Sequence, residues 1–242
     1  MNDHGPGQAR GVGVIFDWDG VVVDSAALHE RSWEVLADET GLTLPAGHFV
    51  RGFGMTNERI IPEVLQWTRR PPRVRELAER KEAIYRRLAV ERGVAPLPGV
   101  RRLLADLQAH HIPAAVAPSS SRQNITTLPP VMQLDGSFRD PVTASDVTHG
   151  KPHPEVFEKA AERLHVAPAR AIVIEDALVG IEAAHAAGMH VVAVTTTHGR
   201  EALAAADRIV STLDEVSATD LIRWLEPAEE PGGSCARCQQ KE

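Results

Sequence analysis

Residues 12–25 read VGVIFDWDGVVVDS, and the fold is decided there. Val12 to Phe16 is an apolar run, too short for a helix and rich in β-branched residues, so it predicts a buried strand. The run stops at Asp17-Trp18-Asp19-Gly20. Two carboxylates two residues apart, just past a buried strand, repel each other and resist burial unless a cation or a proton sits between them. Gly20 lets the chain turn away and leaves room above them. A hard divalent cation, Mg²⁺, taking oxygen ligands from this loop resolves the conflict. A plain strand end turning through Asp and Gly is the alternative, so the metal reading needs further ligands from elsewhere in the chain.

Working outward, Ala26 to Thr40 has apolar residues at helical spacing (Leu28, Trp33, Leu36, Ala37), and Gly41 stops it. Leu42 to Gly54 reads as a connection, Glu58 to Thr68 as a second helix, and Arg73 to Glu91 as a third, carrying Leu77, Ile84 and Leu88. The segment Gly93-Val94-Ala95-Pro96-Leu97-Pro98-Gly99 marks a boundary. Beyond it helix and strand alternate. Helices are expected at Val100–His110, Ser121–Leu128, Pro154–Leu164, Leu178–Ala187 and Leu213–Leu225. Strands are expected at Ile112–Ala117, Val142–Ala144, Ala171–Ile174, His190–Val194 and Arg208–Val210. That alternation predicts an α/β fold: a Rossmann-like parallel sheet with helices on both faces and an inserted α-helical cap domain. Residues 1–26 and 94–226 form the core in this reading, 27–93 the cap, and 227–242 a disordered tail. The insert leaves from the loop that carries Asp17 and Asp19. Ligands in open parallel sheets bind at the carboxyl ends of the strands, so the insert is placed to close over them.

Bulk properties narrow the function. The chain has 242 residues and a net charge of -7, with no basic block, which argues against nucleic acid and an anionic membrane surface as partners. No apolar run approaches the roughly 20 residues of a membrane span. The N-terminal MNDHGPGQAR lacks an apolar signal region, so a cytoplasmic location is expected, with monomer and dimer both open. The two cysteines, Cys235 and Cys238, form a lone CxxC in a polar tail, with no second pair to complete a zinc site.

Other polar clusters fall at strand ends or helix starts. Pro118-Ser119-Ser120-Ser121-Arg122 offers hydroxyls and free N–H groups to an anion, or simply caps a helix. Lys151, between Gly150 and Pro152, is either aimed at a phosphate or the carboxylates, or solvated. Ile172-Val173-Ile174-Glu175-Asp176 ends a second strand in two carboxylates and is the missing ligand source; helix capping by Asp176 is the alternative. His29 and Trp33 share a helix face one turn into the insert, and Lys81 lies on its third helix.

In this order the clusters resemble the haloacid dehalogenase-like hydrolase superfamily, in the branch close to β-phosphoglucomutase with a C1 helical cap. Asp17-Trp18-Asp19-Gly20 through Asp24-Ser25 is similar to its first motif, Ser119-Ser120 to its second, Gly150-Lys151-Pro152-His153-Pro154 to its third, and Val173-Ile174-Glu175-Asp176-Ala177 through Gly180-Ile181 to its fourth. The resemblance implies that Asp17 is the nucleophile, forming an aspartyl-phosphate, and that Asp19 is the general acid and base. It further implies Mg²⁺ held by the side chains of Asp17 and Asp176 and the backbone carbonyl of Asp19, with Glu175 acting through a water. Ser119 or Ser120, with Lys151, would hold the phosphoryl oxygens; Pro118 stands where relatives often carry Ser or Thr, and Ser119 is the first choice. In the cap, His29, Trp33 and Lys81 match positions kept by the mutases. Asn57 occupies the place of the arginine that grips a distal phosphate, and an amide cannot make that bidentate, charge-assisted contact.

The expected activity is therefore Mg²⁺-dependent hydrolysis of a small phosphorylated metabolite, with sugar phosphates the first class to consider. β-Phosphoglucomutase and a non-catalytic binding module are the other two readings. Specificity is expected around His29, Arg51, Asn57 and Lys81.

Overall fold

A computed structural model describes residues 11–52 and 55–226. The leader 1–10 and the tail with Cys235 and Cys238 lie outside the described residues. The strands are β1 (Gly13–Phe16), β2 (Ala114–Val116), β3 (Ala171–Glu175), β4 (His190–Val194) and β5 (Arg208–Val210). They pair in parallel in the order β2-β1-β3-β4-β5, which places β1 and β3 side by side with Phe16 opposite Ile174. The ends of these two neighbouring strands carry the two acidic pairs.

The two-residue period of a strand sorts its side chains to opposite faces. Val14 and Phe16 point to one face with Val116, Ile172, Ile174 and Val192. Helices α5 (Val100–Ala109), α6 (Arg122–Met132) and α9 (Ala218–Trp224) pack there through Leu103, Ile125 and Leu221. Ile15, Val173 and Val191 point to the other face and meet α7 (Glu155–Leu164) and α8 (Leu178–Ala186). Phe16 is fully buried, worth about 1.5–3 kcal/mol of transfer free energy.

Between β1 and α5 the regular elements among the described residues are helices. They include α1 (Ala26–Thr40), the short α2 (His48–Gly52), α3 (Asn57–Arg59) and the long α4 (Pro71–Arg92). Trp33, Leu36, Ile61, Leu77, Ile84 and Leu88 form a third apolar cluster here. Tyr85 and Ala89 of α4 instead belong to the cluster under the sheet. The connections into and out of this layer pair with one another: Leu97 N donates to Val22 O at 3.0 Å, beside a bridge between Val23 and Pro96.

Several expected stretches come out differently, among them Leu42–Gly54, read as a connection, which carries the short α2. Val142–Ala144 is not a strand. After one bond from Val142 N to Val116 O, Asp146 accepts from both the amide and the hydroxyl of Thr143 and closes a 3₁₀ turn over Ala144–Asp146. Glu58–Thr68 is not a continuous helix. Pro62 has no N–H to donate, and the chain widens into a π turn over Ile60–Val64, with Leu65 N reaching back to Ile60 O. Leu213–Leu225 breaks into a 3₁₀ turn and α9, because Thr212 and Ser217 each start their own capping box. Helix α6 also runs past its expected end at Leu128, through Pro129 and Pro130, which lets Met132 reach the core. Among the described residues, no helix is long and apolar enough to cross a membrane.

Candidate active site

At the carboxyl ends of β1 and β3 the chain builds a buried ionic cluster. Asp17 follows β1 directly and is 8% exposed; its amide is held by Ile174 O at 2.9 Å. Glu175 ends β3 and Asp176 follows it, both buried. Carboxylate oxygens of Asp17, Glu175 and Asp176 lie within 4.8 Å of one another. The Lys151 ammonium donates to Asp17 Oδ1 at 2.6 Å and to Glu175 Oε1 at 2.7 Å. The other Glu175 oxygen accepts from the amides of Asp176 and Ala177, at 2.9 and 3.0 Å. Glu175 is thus an anchor with three hydrogen bonds already made, while Asp17 and Asp176 face the opening.

The charges explain the composition. Burial, with the repulsion of Glu175 and Asp19, pushes the Asp17 carboxyl up to about 7 despite Lys151. Burial and the charges of Glu175 and Asp17 push Asp176 well above the usual carboxylate range. Burial alone would lower Lys151, but Asp17 and Glu175 outweigh it and hold the ammonium protonated. One lysine does not neutralise three carboxylates, so the cluster has the charge deficit of a cation site.

Two glycines make the room. A Cβ on Gly20, whose φ is +82°, would lie 2.0 Å from Asp176 Oδ2. A Cβ on Gly180, in α8, would lie 1.8 Å from Glu175 Oε1. We expect Gly180→Ala to cost about 1–3 kcal/mol through this overlap and to displace Glu175 from Lys151. Denaturant unfolding checks it; a midpoint equal to that of the unchanged protein would show that the close approach has no cost.

Asp19 is a different kind of carboxylate. Its Oδ1 accepts from Ser25 Oγ at 2.6 Å and lies 3.1 Å from His29 Nε2, while Oδ2 accepts from Ser120 Oγ. Burial works against its charge, but His29 and these hydrogen bonds hold its pKa below the usual range. His29 is placed from its other side: Lys81 Nζ lies 2.5 Å from Nδ1, and Tyr85 stacks on the ring at 3.9 Å. An ammonium can only donate, so Nδ1 accepts and Nε2 carries the proton directed at Asp19.

Except for Arg51, every site residue singled out from the sequence lines one cavity of about 970 Å³ between the sheet and the helical layer. Ser120 contacts Asp19, whereas Ser119 sits exposed on the rim. Lys81 is buried, lying 5.4 Å from the Trp33 ring. Asn57 donates to Glu82 Oε1 at 2.7 Å. Arg51 lies exposed on α2. The sequence reading missed Thr197, which donates to Asp176 Oδ2, and Thr196, which donates to Gly20 O at 2.5 Å. Both follow β4; hydroxyls just past a strand that neighbours β3 were the available signal. It also missed Glu82, Tyr85 and Asn124, which carry no local pattern.

A parallel sheet with an acidic cluster at its carboxyl edge and a helical layer above it defines a class, and the sequence comparison agrees. The chain belongs to the haloacid dehalogenase-like hydrolase family, whose model matches residues 14–194. It is 38% identical over 213 residues to the chloroplastic 5-amino-6-(5-phospho-D-ribitylamino)uracil phosphatase of Arabidopsis thaliana, covering 87% of this chain and 57% of that protein. It is 34% identical over 208 residues to the validoxylamine A 7′-phosphate phosphatase of Streptomyces hygroscopicus subsp. limoneus, covering 84% of this chain and 94% of the relative. Among solved structures, the β-phosphoglucomutase of Clostridium difficile superposes with a TM-score of 0.77 at 26% identity, covering 89% of this chain and 97% of the other.

Proposed function

We propose that the protein is a Mg²⁺-dependent phosphatase of small phosphorylated metabolites, working through a phosphorylated Asp17. The observation that carries this reading is the buried cluster in which Lys151 bridges Asp17 and Glu175 beside Asp176, open to the cavity. The named phosphatases among its relatives support it. Residues 27–93 are the cap in this proposal, set on the core formed by 1–26 and 94–226.

The donor set suits Mg²⁺: all oxygen, anionic, and short of positive charge. The side chains of Asp17 and Asp176 and the backbone carbonyl of Asp19 would hold the ion, with Glu175 behind them through a water. When bound, it offsets the negative charge of the phosphoryl oxygens that would otherwise repel a carboxylate nucleophile.

The chain's own groups do the rest. An Asp17 oxygen attacks phosphorus, and the bond from phosphorus to the ester oxygen breaks. The leaving oxygen takes a proton from Asp19. A water then attacks the same phosphorus and gives its proton to Asp19, and the bond to Asp17 breaks. Lys151, with Ser119 or Ser120, holds the phosphoryl oxygens. Asp19 as it stands accepts three hydrogen bonds and is ionised, which is the form that activates water. The proton that Asp19 gives to the leaving oxygen is the one it takes from water in the second step of each turnover, and His29 Nε2–H holds the ionised form in between. Phosphomonoester hydrolysis requires a barrier reduction on the order of 20 kcal/mol, so charge from several chain segments is needed.

The cavity, about 970 Å³, is at the upper end of small-molecule sites. It therefore has room for a substrate larger than a hexose phosphate. Asn57 hydrogen-bonds to a carboxylate rather than offering charge to a second phosphate, which favours a phosphatase over a mutase.

The test has two arms. With p-nitrophenyl phosphate, phosphate release is expected with Mg²⁺ and not after chelation. Saturating Mg²⁺ is also expected to raise Tm, by the equivalent of about 2.7 kcal/mol at a hundredfold excess over Kd. With β-glucose 1-phosphate and a trace of the 1,6-bisphosphate, free phosphate is expected. Formation of glucose 6-phosphate without phosphate release would establish the mutase instead.

A further inference from the structure

Glu82 lies in none of the recognised motifs, yet it joins as many side chains as Asp19 does. It stands on α4, with its side chain 14% exposed. Oε1 accepts from Lys81 Nζ at 2.8 Å and from Asn57 Nδ2 at 2.7 Å. Oε2 accepts from Asn124 Nδ2 at 2.6 Å. These donors come from α4, α3 and α6, so one carboxylate ties two helices of the cap to a helix of the core. Burial opposes its charge, but the Lys81 charge and the hydrogen bonds from Lys81 and Asn124 prevail and hold its pKa down to about 2.

The partner on α6 is built for this contact. Asn124 is fully buried, and its Oδ1 accepts from Arg86 Nη1 at 3.1 Å. Arg86 is one turn beyond Glu82 on α4. The Asn124 amide thus gives a donor to the carboxylate and an acceptor to the guanidinium. A flipped amide would set oxygen against oxygen and nitrogen against nitrogen, so only one orientation fits. An ordinary surface contact between two helices needs no buried amide.

The same carboxylate acts toward the chemistry. Lys81 is 3% exposed, and a buried ammonium is costly unless paired. Glu82 is its anionic partner; the ammonium also meets His29 Nδ1 and lies over the Trp33 and Tyr85 rings at 5.4 and 5.5 Å. Without the Glu82 carboxylate, the Lys81 ammonium loses the acceptor that holds it beside His29. His29 then loses the donor that fixes its tautomer, and Asp19 loses a directed proton.

We propose that Glu82 is a positioning residue that latches the helical cap to α6 through Asn124 and, with the same carboxylate, holds Lys81 against His29. Cap closure and the readiness of Asp19 are then one event. This rests on the phosphatase reading and on residues 27–93 moving as a cap. Opening the cap separates Glu82 from Asn124, and a substrate that permits closure restores the contact.

The experiment uses the full chain with Glu82→Gln, Asn124→Ala and the double variant. The first readout is amide hydrogen exchange without substrate. Exchange in residues 122–128 of α6 is expected to speed up about tenfold in either single variant, while α8 is unchanged. Unchanged protection in α6 would overturn the latch, whatever the enzyme hydrolyses. The second readout is kinetics with p-nitrophenyl phosphate and Mg²⁺. Glu82→Gln is expected to lower kcat about tenfold or more with KM within about threefold, and the double variant to be no worse than Glu82→Gln. Additive losses, or a loss confined to KM, would overturn the positioning role. Asn124→Ala leaves Lys81 paired, so it tests the latch even if Glu82→Gln does not fold. Wild-type protein that releases no phosphate would sink the phosphatase reading and leave the exchange result standing.

Discussion

Asp17→Asn is expected to reduce Mg²⁺-dependent phosphate release from p-nitrophenyl phosphate by roughly 10³-fold or more, a scale typical of removing a nucleophile. The substitution keeps the shape of the side chain but leaves no carboxylate to attack phosphorus. It is not expected to unfold the protein. Asp17 is a buried carboxylate pushed up to about 7 by burial and by its acidic neighbours, so a neutral amide relieves repulsion. Lys151 keeps its contact with Glu175 at 2.7 Å. Thermal unfolding should give a Tm equal to or above that of the unchanged protein. Retention of more than a small fraction of the activity, in protein with that Tm, would remove Asp17 as the nucleophile.

Asp19→Asn is expected to lower kcat by about 10²–10⁴, the usual range for losing a general acid or base. The amide has one acceptor where the carboxylate had two. Ser25, His29 and Ser120 all donate to Asp19, so at least one donor is left facing an N–H. Both half-reactions lose their proton carrier, but attack by Asp17 on a good leaving group such as p-nitrophenolate needs no acid. Phosphorylated protein should therefore accumulate with this substrate, visible by intact mass after rapid quenching. A variant that turns over normally, or one that is slow with no phosphorylated form, would contradict the assigned roles.

The two aspartates stand two residues apart in the sequence, and the structure separates them by environment. Asp17 lies among anions with one lysine; Asp19 is surrounded by donors. Their pKa values are driven in opposite directions, Asp17 up and Asp19 down. Divergent environments of this kind are how two carboxylates in one site take different roles. Trp18 lies between them and is fully buried, with its carbonyl accepting from the amides of Val22 and Val23 at 2.9 and 3.0 Å.

Legibility followed locality. β1 was readable because a short β-branched run and an abrupt pair of acids are both written within a few residues. α1 was readable to its last residue because the apolar spacing ends at a glycine, observed in the left-handed conformation at φ 67°. The segment Val142–Ala144 misled because its β-branched start was followed by Thr143 and Asp146, whose mutual capping outweighs strand propensity. Pro62 should have warned against a continuous second helix; the apolar period around it hid the break.

The sequence by itself determined the parallel α/β class, the helical insertion after the first strand, and the acidic pairs at two strand ends; Lys151 and the serines entered through the family resemblance. The class, the insertion and the acidic pairs are fixed by short-range chemistry: strand period, helix spacing, turn residues, and the cost of burying unpaired charge. Only the tertiary structure decided which carboxylate oxygen meets which donor. It set the Lys151 ammonium between Asp17 and Glu175, brought Thr197 to Asp176, and joined Glu82 to Asn124 across 42 positions of chain. A side chain's partner across such a distance is set by how helices pack on the sheet, and no local pattern in the sequence carries that information.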